Sequence, residues 1–125
     1  MSDRESTIAD AERWLGAYRQ AWTTNDPDDI RAVFTGDAEY RAEPWAAPIQ
    51  GHEAIVASWL ERRDEPGTWT FDARVIAADG RLVFIEGETR YTSGTTYSNL
   101  WVVALADDGR ATAFTEWWMD RANPS

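Results

Sequence analysis

Three carboxylates in this chain stand where they could move a proton. Glu116 sits in Phe114-Thr115-Glu116-Trp117-Trp118, between aromatic neighbours. A carboxylate among rings loses hydration, so its pKa should rise toward the range useful for proton transfer. The plainer alternative is an exposed glutamate or one paired with an arginine. Glu86 and Glu88 alternate onto one strand face with side chains roughly 7 Å apart. Such a pair can divide into one neutral acid and one ionised base, or can lie in solvent neutralised by Arg74 and Arg90. Arg90 in turn either pairs with Glu88 or holds a substrate oxygen. Tyr40 is the best placed hydroxyl donor among the core-type aromatics, and Asn99 is either a pocket amide or an edge residue.

Other candidates read as structure. Tyr18 and Trp22 lie on the apolar stripe of a helix, where aromatics pack a core or wall a pocket, and Trp45 and Trp59 are of the same kind. His52 reads as an exposed residue in the first turn of a helix, with no second histidine to orient it. Asp26, Asp28 and Asp29 are helix-start chemistry and form no metal site, and Asp107-Asp108 is turn chemistry.

Composition narrows the classes. The 125 residues suit a single domain, residues 1–125, with no room for a second core. With 12 basic against 22 acidic residues the net charge is −10, which argues against partners made of nucleic acid phosphate or an anionic membrane surface. The absence of cysteine removes disulfides, thiol catalysis and thiolate metal sites. A lone histidine makes the usual zinc sites and a serine triad hard to build, so neither metal nor cofactor is expected. No apolar run approaches the ~20 residues that span a bilayer. Met1-Ser2-Asp3-Arg4-Glu5 has no apolar signal region, so a cytoplasmic protein is the expectation. Eight tryptophans are the unusual number, and wide rings suit an aromatic-lined cavity as well as a core.

The elements that must position these residues follow from periodicity. Ile8, Ala11, Leu15, Tyr18 and Trp22 recur at helical spacing from Thr7 to about Thr24, and residues 1–6 are expected to be disordered. Asp26 can cap a second helix that has Pro27 at its first position and buries Ile30, Val33 and Phe34. Ala38 to Glu43 reads as a strand, and the loop from Pro44 to Gly51 as irregular. A third helix runs from His52 to about Arg63, with Ile55, Val56, Trp59 and Leu60 inward. After Gly67 the period changes to two: Trp69, Phe71, Ala73 and Val75 alternate with Thr70, Asp72 and Arg74. Asp79-Gly80, Ser93-Gly94 and Asp108-Gly109 then separate strands over Arg81–Thr92, Tyr97–Ala106 and Ala111–Asp120. Helices followed by a meander make the class α+β, with three N-terminal helices on an antiparallel sheet.

The last hairpin decides what faces what. A two-residue turn at Asp108-Gly109 sets Val103 opposite Phe114, Trp101 opposite Glu116 and Asn99 opposite Trp118, and opposed residues share a face. A three-residue bulged turn shifts the pairing by one and brings Leu100 and Val102 opposite that set. The two-residue turn is the reading adopted. On the strand before it, Leu82, Phe84, Glu86, Glu88 and Arg90 share one face and Val83, Ile85, Gly87, Thr89 and Tyr91 the other. Neither face is purely polar, so each should cover something: helices on one side, a partner subunit on the other.

The segments Trp22-Thr23-Thr24-Asn25-Asp26-Pro27, Asp37-Ala38-Glu39-Tyr40, Pro48-Ile49-Gln50-Gly51-His52-Glu53-Ala54-Ile55 and Phe114-Thr115-Glu116-Trp117-Trp118 resemble the SnoaL-like proteins of the nuclear transport factor two-like superfamily. Ketosteroid isomerase and limonene-epoxide hydrolase belong to the same superfamily. The resemblance covers roughly Ala11 to Asp120. It implies a sheet wrapped by three helices into a cone with a central apolar pocket, commonly in a dimer. It implies nothing firm about activity, because the fold hosts isomerases, cyclases, hydrolases and binders. Carried over, the isomerase's first-helix tyrosine matches Tyr18, but its base aspartate falls on Ala42, one residue from Glu43, and its proton-donating aspartate on Trp101. Steroid isomerisation of that type is not expected. One hydrolase aspartate falls near Glu116, and its Arg and second Asp near Glu86 and Glu88, with no arginine unless Arg90 reaches in. The acid/base residue of the SnoaL cyclases is matched by Glu116.

The expectation is therefore a cofactor-free pocket protein, a homodimer through the sheet, that binds a small hydrophobic or polycyclic molecule. As an enzyme it would use Glu116 as acid or base, Glu86 or Glu88 as its complement, and Tyr18 or Tyr40 as oxyanion donor. Trp22, Tyr40, Trp59, Arg90, Asn99, Trp101, Phe114 and Trp118 would wall the substrate. The alternatives are a non-catalytic binding domain and a face that docks another protein.

Overall fold

In the computed structural model, which describes residues 3–123, helix α1 spans Asp3–Thr24 and α2 spans Pro27–Arg31. Strand β1 follows at Phe34–Arg41, β2 at Ile49–Gln50 and helix α3 at His52–Glu61. Four strands complete the chain: β3 Trp69–Asp79, β4 Leu82–Tyr91, β5 Thr96–Leu105 and β6 Ala111–Asp120. The disorder expected over residues 1–6 concerns, at Met1 and Ser2, residues outside those described; from Asp3 onward the chain is helical. Asp26 caps α2 as its sequence suggests, its side chain accepting from the Asp28 backbone N–H at 2.8 Å, with Pro27 in the first turn.

The sheet order is β2-β1-β6-β5-β4-β3, an open, curved array with helices on one side. β3 to β6 form the expected antiparallel meander. The sheet as a whole is mixed, however, because β1 runs parallel to β6, pairing Tyr40 with Phe114 and Arg41 with Thr115. A strand that returns to the sheet before the meander begins cannot be oriented from its own residues. Phe34 belongs to β1, not to the second helix, and Ile49-Gln50 pairs with Glu39-Tyr40 inside the stretch expected to be irregular.

The last hairpin keeps the adopted pairing by a different route. Its loop contains three residues: the Ala106 N–H bonds to Arg110 O at 2.8 Å, and Gly109 takes a positive φ of 88°. A bulge at Thr112 then restores the register, so Val103 faces Phe114, Trp101 faces Glu116 and Asn99 faces Trp118.

The core lies between α1 and the inner sheet face. Ile30, Val33, Phe34, Val83, Ile85, Val103 and Phe114 are almost fully buried. Trp14 packs on Trp101 and Phe114, with ring centroids 6.1 Å apart in both cases, and its indole N–H reaches Val33 O at 3.0 Å. Such a donor must find a partner when buried, and this bond ties α1 to the segment joining α2 and β1. Gly87 lets the Phe71 ring lie against β4, because a Cβ there would stand 2.7 Å from Phe71 Cε1. Phe71 in turn stacks on Trp101 at 4.9 Å.

Candidate functional site

The inner face of β4, β5 and β6 carries a polar ladder that crosses all three strands. The Thr89 hydroxyl donates to Asn99 Oδ1 at 2.8 Å, which fixes the Asn99 amide so that its Nδ2 donates to Glu116 Oε2 at 2.7 Å. Trp101 Nε1 donates to the same oxygen at 2.9 Å. Gly87, Asn99 and Trp118 are cross-strand neighbours, as are Ile85, Trp101 and Glu116, and that register is what lets the ladder form. Glu116 Oε1 accepts no hydrogen bond from the described residues. Desolvation raises the Glu116 pKa above its ordinary value of 4.5, against the opposing pull of the Trp101 and Asn99 donors.

A cavity of about 520 Å³ opens between this face, α1 and α3, large enough for a drug-sized molecule. Tyr18, Trp22, Tyr40, Trp59, Asn99, Trp101, Glu116 and Trp118 all line it, so eight of the twelve expected site residues are brought together. Tyr18 and Tyr40 are held as neutral phenols. Burial is the main cause for each, and the nearby Glu116 charge adds to it, raising both pKa values well above the ordinary 10. Tyr18 packs on Trp101 at 4.6 Å and Trp59 at 5.1 Å. Neutral phenols beside a carboxylate offer hydrogen-bond donors to a developing oxyanion.

Four expected residues stand elsewhere. Phe114 backs the cavity without lining it; it is buried and stacks beneath Tyr40 at 4.7 Å. Glu86, Glu88 and Arg90 lie on the opposite face of the sheet, alternating with the inward Ile85, Gly87 and Thr89, and do not reach the cavity. Glu88 pairs with Arg90 and Arg121, and Glu86 with Arg74 at 3.5 Å. The residues expected as an acid/base pair and a substrate-holding arginine are thus placed on the outer face in ion pairs, away from the cavity. The physical reason is that Val83 and Ile85 fill the helix side, and strict alternation then sends the charged set outward. His52 is partly covered, its Nε2 3.0 Å from Glu53 Oε2.

Several lining residues lay outside the expected set, Tyr91 and Asp64 among them. Tyr91 shares a face with Thr89 and Ile85, so the alternation of β4 already placed it inward. Asp64, just beyond α3, carries no local pattern that marks it; its side chain accepts from Trp22 Nε1 and from the Tyr91 hydroxyl, both at 3.0 Å. Asp64 adds to burial in raising the Tyr91 pKa. Among the described residues no group of three or more His, Cys, Asp and Glu side chains could hold a metal, and no helix is long and apolar enough to cross a membrane.

Solved structures with this fold include a protein of Kribbella flavida named for ketosteroid isomerase, 19% identical with TM-score 0.73, the match covering all of this chain and 86% of that one. A nuclear transport factor two-like protein of unknown function from Burkholderia xenovorans is 21% identical with TM-score 0.70, over 94% and 86% of the two chains. An M. tuberculosis epoxide hydrolase of the LEH-like type is 18% identical with TM-score 0.62, over 94% and 85%. At such identities the likeness establishes the fold and leaves the activity open. No curated protein matches the chain. The SnoaL-like domain pattern matches residues 15–121, so this chain belongs to the SnoaL-like family.

Proposed function

We propose that the chain is a cofactor-free acid/base enzyme whose cavity takes a hydrophobic, aromatic or polycyclic molecule and whose proton-transfer group is Glu116. The observation that carries this reading is one carboxylate with two unlike oxygens. Oε2 is fixed by Asn99 and Trp101, while Oε1 takes no bond from the described residues of a desolvated wall. A fixed carboxylate of raised pKa beside neutral Tyr18 and Tyr40 suits removal of a proton next to a carbonyl, with the phenols stabilising the enolate oxygen. The same carboxylate could instead activate water for addition to an epoxide, with a phenol as proton donor. The isomerase and epoxide hydrolase names among the structural neighbours agree with both chemistries and choose neither.

A set of polycyclic ketones, enones and epoxides, assayed with the wild type and Glu116→Gln, tests this. Turnover of at least one substrate should fall roughly 10²–10⁴-fold in the variant, while ligand affinity is kept. Equal rates in the two proteins would overturn the role of Glu116. Saturation of Oε2 by two donors favours a second reading, a binder in which Glu116 is structural, and no turnover in either protein is its outcome. We also propose that Ile76, Leu100, Trp117 and Met119, exposed on the outer sheet face, mark a self-association surface, which the mass of the protein in solution checks.

A further inference from the structure

Asp64 is the second carboxylate of the cavity, and the chemistry at Glu116 leaves it unused. It stands three residues beyond α3 and is held from several sides. Trp22 Nε1 and the Tyr91 hydroxyl both donate to Oδ2, and Asn25 Nδ2 donates to its backbone oxygen at 3.1 Å. Asn25, in a left-handed conformation with φ of 53°, also accepts from Trp59 Nε1 at 3.0 Å. Two elements thus meet at the carboxylate, α1 through Trp22 and β4 through Tyr91, while Asn25, itself held by Trp59, fixes the Asp64 backbone.

That convergence leaves one edge unused. Asp64 Oδ1 accepts no hydrogen bond from the described residues, and Asp64 forms no ion pair with the neighbouring Arg62 or Arg63 among them. From Glu116 to Asp64 the wall is aromatic. Trp101 donates to Glu116, Tyr18 packs 4.6 Å from Trp101 and 6.0 Å from Trp22, and Trp22 donates to Asp64. One aromatic wall of the cavity therefore joins its two carboxylates, with Arg62 and Arg63 also in the lining.

The geometry points to Asp64 as a binding anchor for a hydrogen-bond donor, a hydroxyl or an amine, on the end of the ligand remote from Glu116. The ligand class is then an elongated aryl or polycyclic molecule with polar groups at both ends. This rests on the cavity being a ligand site, as proposed above, and extends that reading by the polarity of the far end. A charged acceptor fixed by its neighbours rewards a donor, because a ligand without one leaves the carboxylate edge desolvated and unmatched.

Three probes test it: an acetylbiphenyl with a hydroxyl para on its far ring, the same ketone with a methoxy group there, and the unsubstituted ketone. Binding is read by tryptophan fluorescence. The hydroxylated ketone should bind the wild type roughly tenfold or more tightly than the other two, the size of a hydrogen bond to a charged group. Asp64→Asn keeps one oxygen for Trp22 and Tyr91 and turns the free edge into a donor. It should erase the advantage of the hydroxyl while leaving the other two affinities unchanged. Equal binding of all three probes to the wild type overturns the anchor and leaves the cavity reading standing. Equal weakening of all three in Asp64→Asn assigns Asp64 to structure and also overturns it. Failure of every probe to bind the wild type overturns both, and the wild-type comparison needs no variant that folds.

Discussion

The two faces of one sheet treat the same residue type in opposite ways. On the inner face Glu116 is desolvated, bonded to a neutral amide and a neutral indole, and its pKa is raised. On the outer face Glu86 and Glu88 meet arginines, and the Glu86 side chain is 58% exposed. An arginine neutralises a carboxylate and keeps it ionised, whereas neutral donors orient it and leave it able to exchange a proton. The difference teaches that the partner and the covering layer assign a carboxylate its role, and that closeness of two glutamates does not. Glu86 and Glu88 are close in sequence, yet the face they share points away from the cavity.

The comparison can be broken most severely at the carboxylates themselves. Glu116→Gln should lower turnover by roughly 10²–10⁴-fold, whereas Glu86→Gln and Glu88→Gln should leave it unchanged in the same assay. A comparable loss from either outer variant would dissolve the distinction. Next in size, Gly87→Ala should cost about 1–3 kcal/mol in urea denaturation, as overpacking against Phe71 does. Phe71 backs Trp101, so the same change should also disturb the donor to Glu116. An unaltered midpoint would mean that the ring moves freely.

The pH dependence sharpens the contrast. A carboxyl whose folded pKa is raised adds stability that is fully present below its unfolded value and is lost as pH rises through the folded value. Glu116→Gln should therefore be the more stable protein at neutral pH, and the advantage should vanish below about pH 4.5, the ordinary carboxyl value. Thermal midpoints across pH 4 to 8 would reveal it, and a variant less stable than the wild type at pH 7 would contradict the sign. The smallest effect belongs outside. Glu88→Gln loses pairs with Arg90 and Arg121, worth about 0.2–1 kcal/mol, and Glu86→Gln loses still less because its pair is exposed to water. A larger loss in either would show that the outer face is covered in solution.

Much of the fold could be read from local pattern. The α1 stripe, the Asp26-Pro27 start of α2 and the alternation of β3 to β6 each rest on a period or a cap that a short segment carries alone. The Trp101–Glu116 pairing was legible too, although the hairpin achieves it with a three-residue loop and a bulge. Alternation on β4 separated its two sets of residues correctly, but which set faces the helices needs the packing of Val83 and Ile85.

The sequence by itself determined an acidic, tryptophan-rich α+β chain with a carboxylate flanked by rings on its last strand, because composition and periodicity are local properties. Only the tertiary structure decided that β1 lies parallel to β6, that Glu86 and Glu88 face away from the cavity and that Asp64 meets Trp22 and Tyr91. Those facts depend on contacts between residues far apart in the chain, and no local period encodes which face a distant helix will cover.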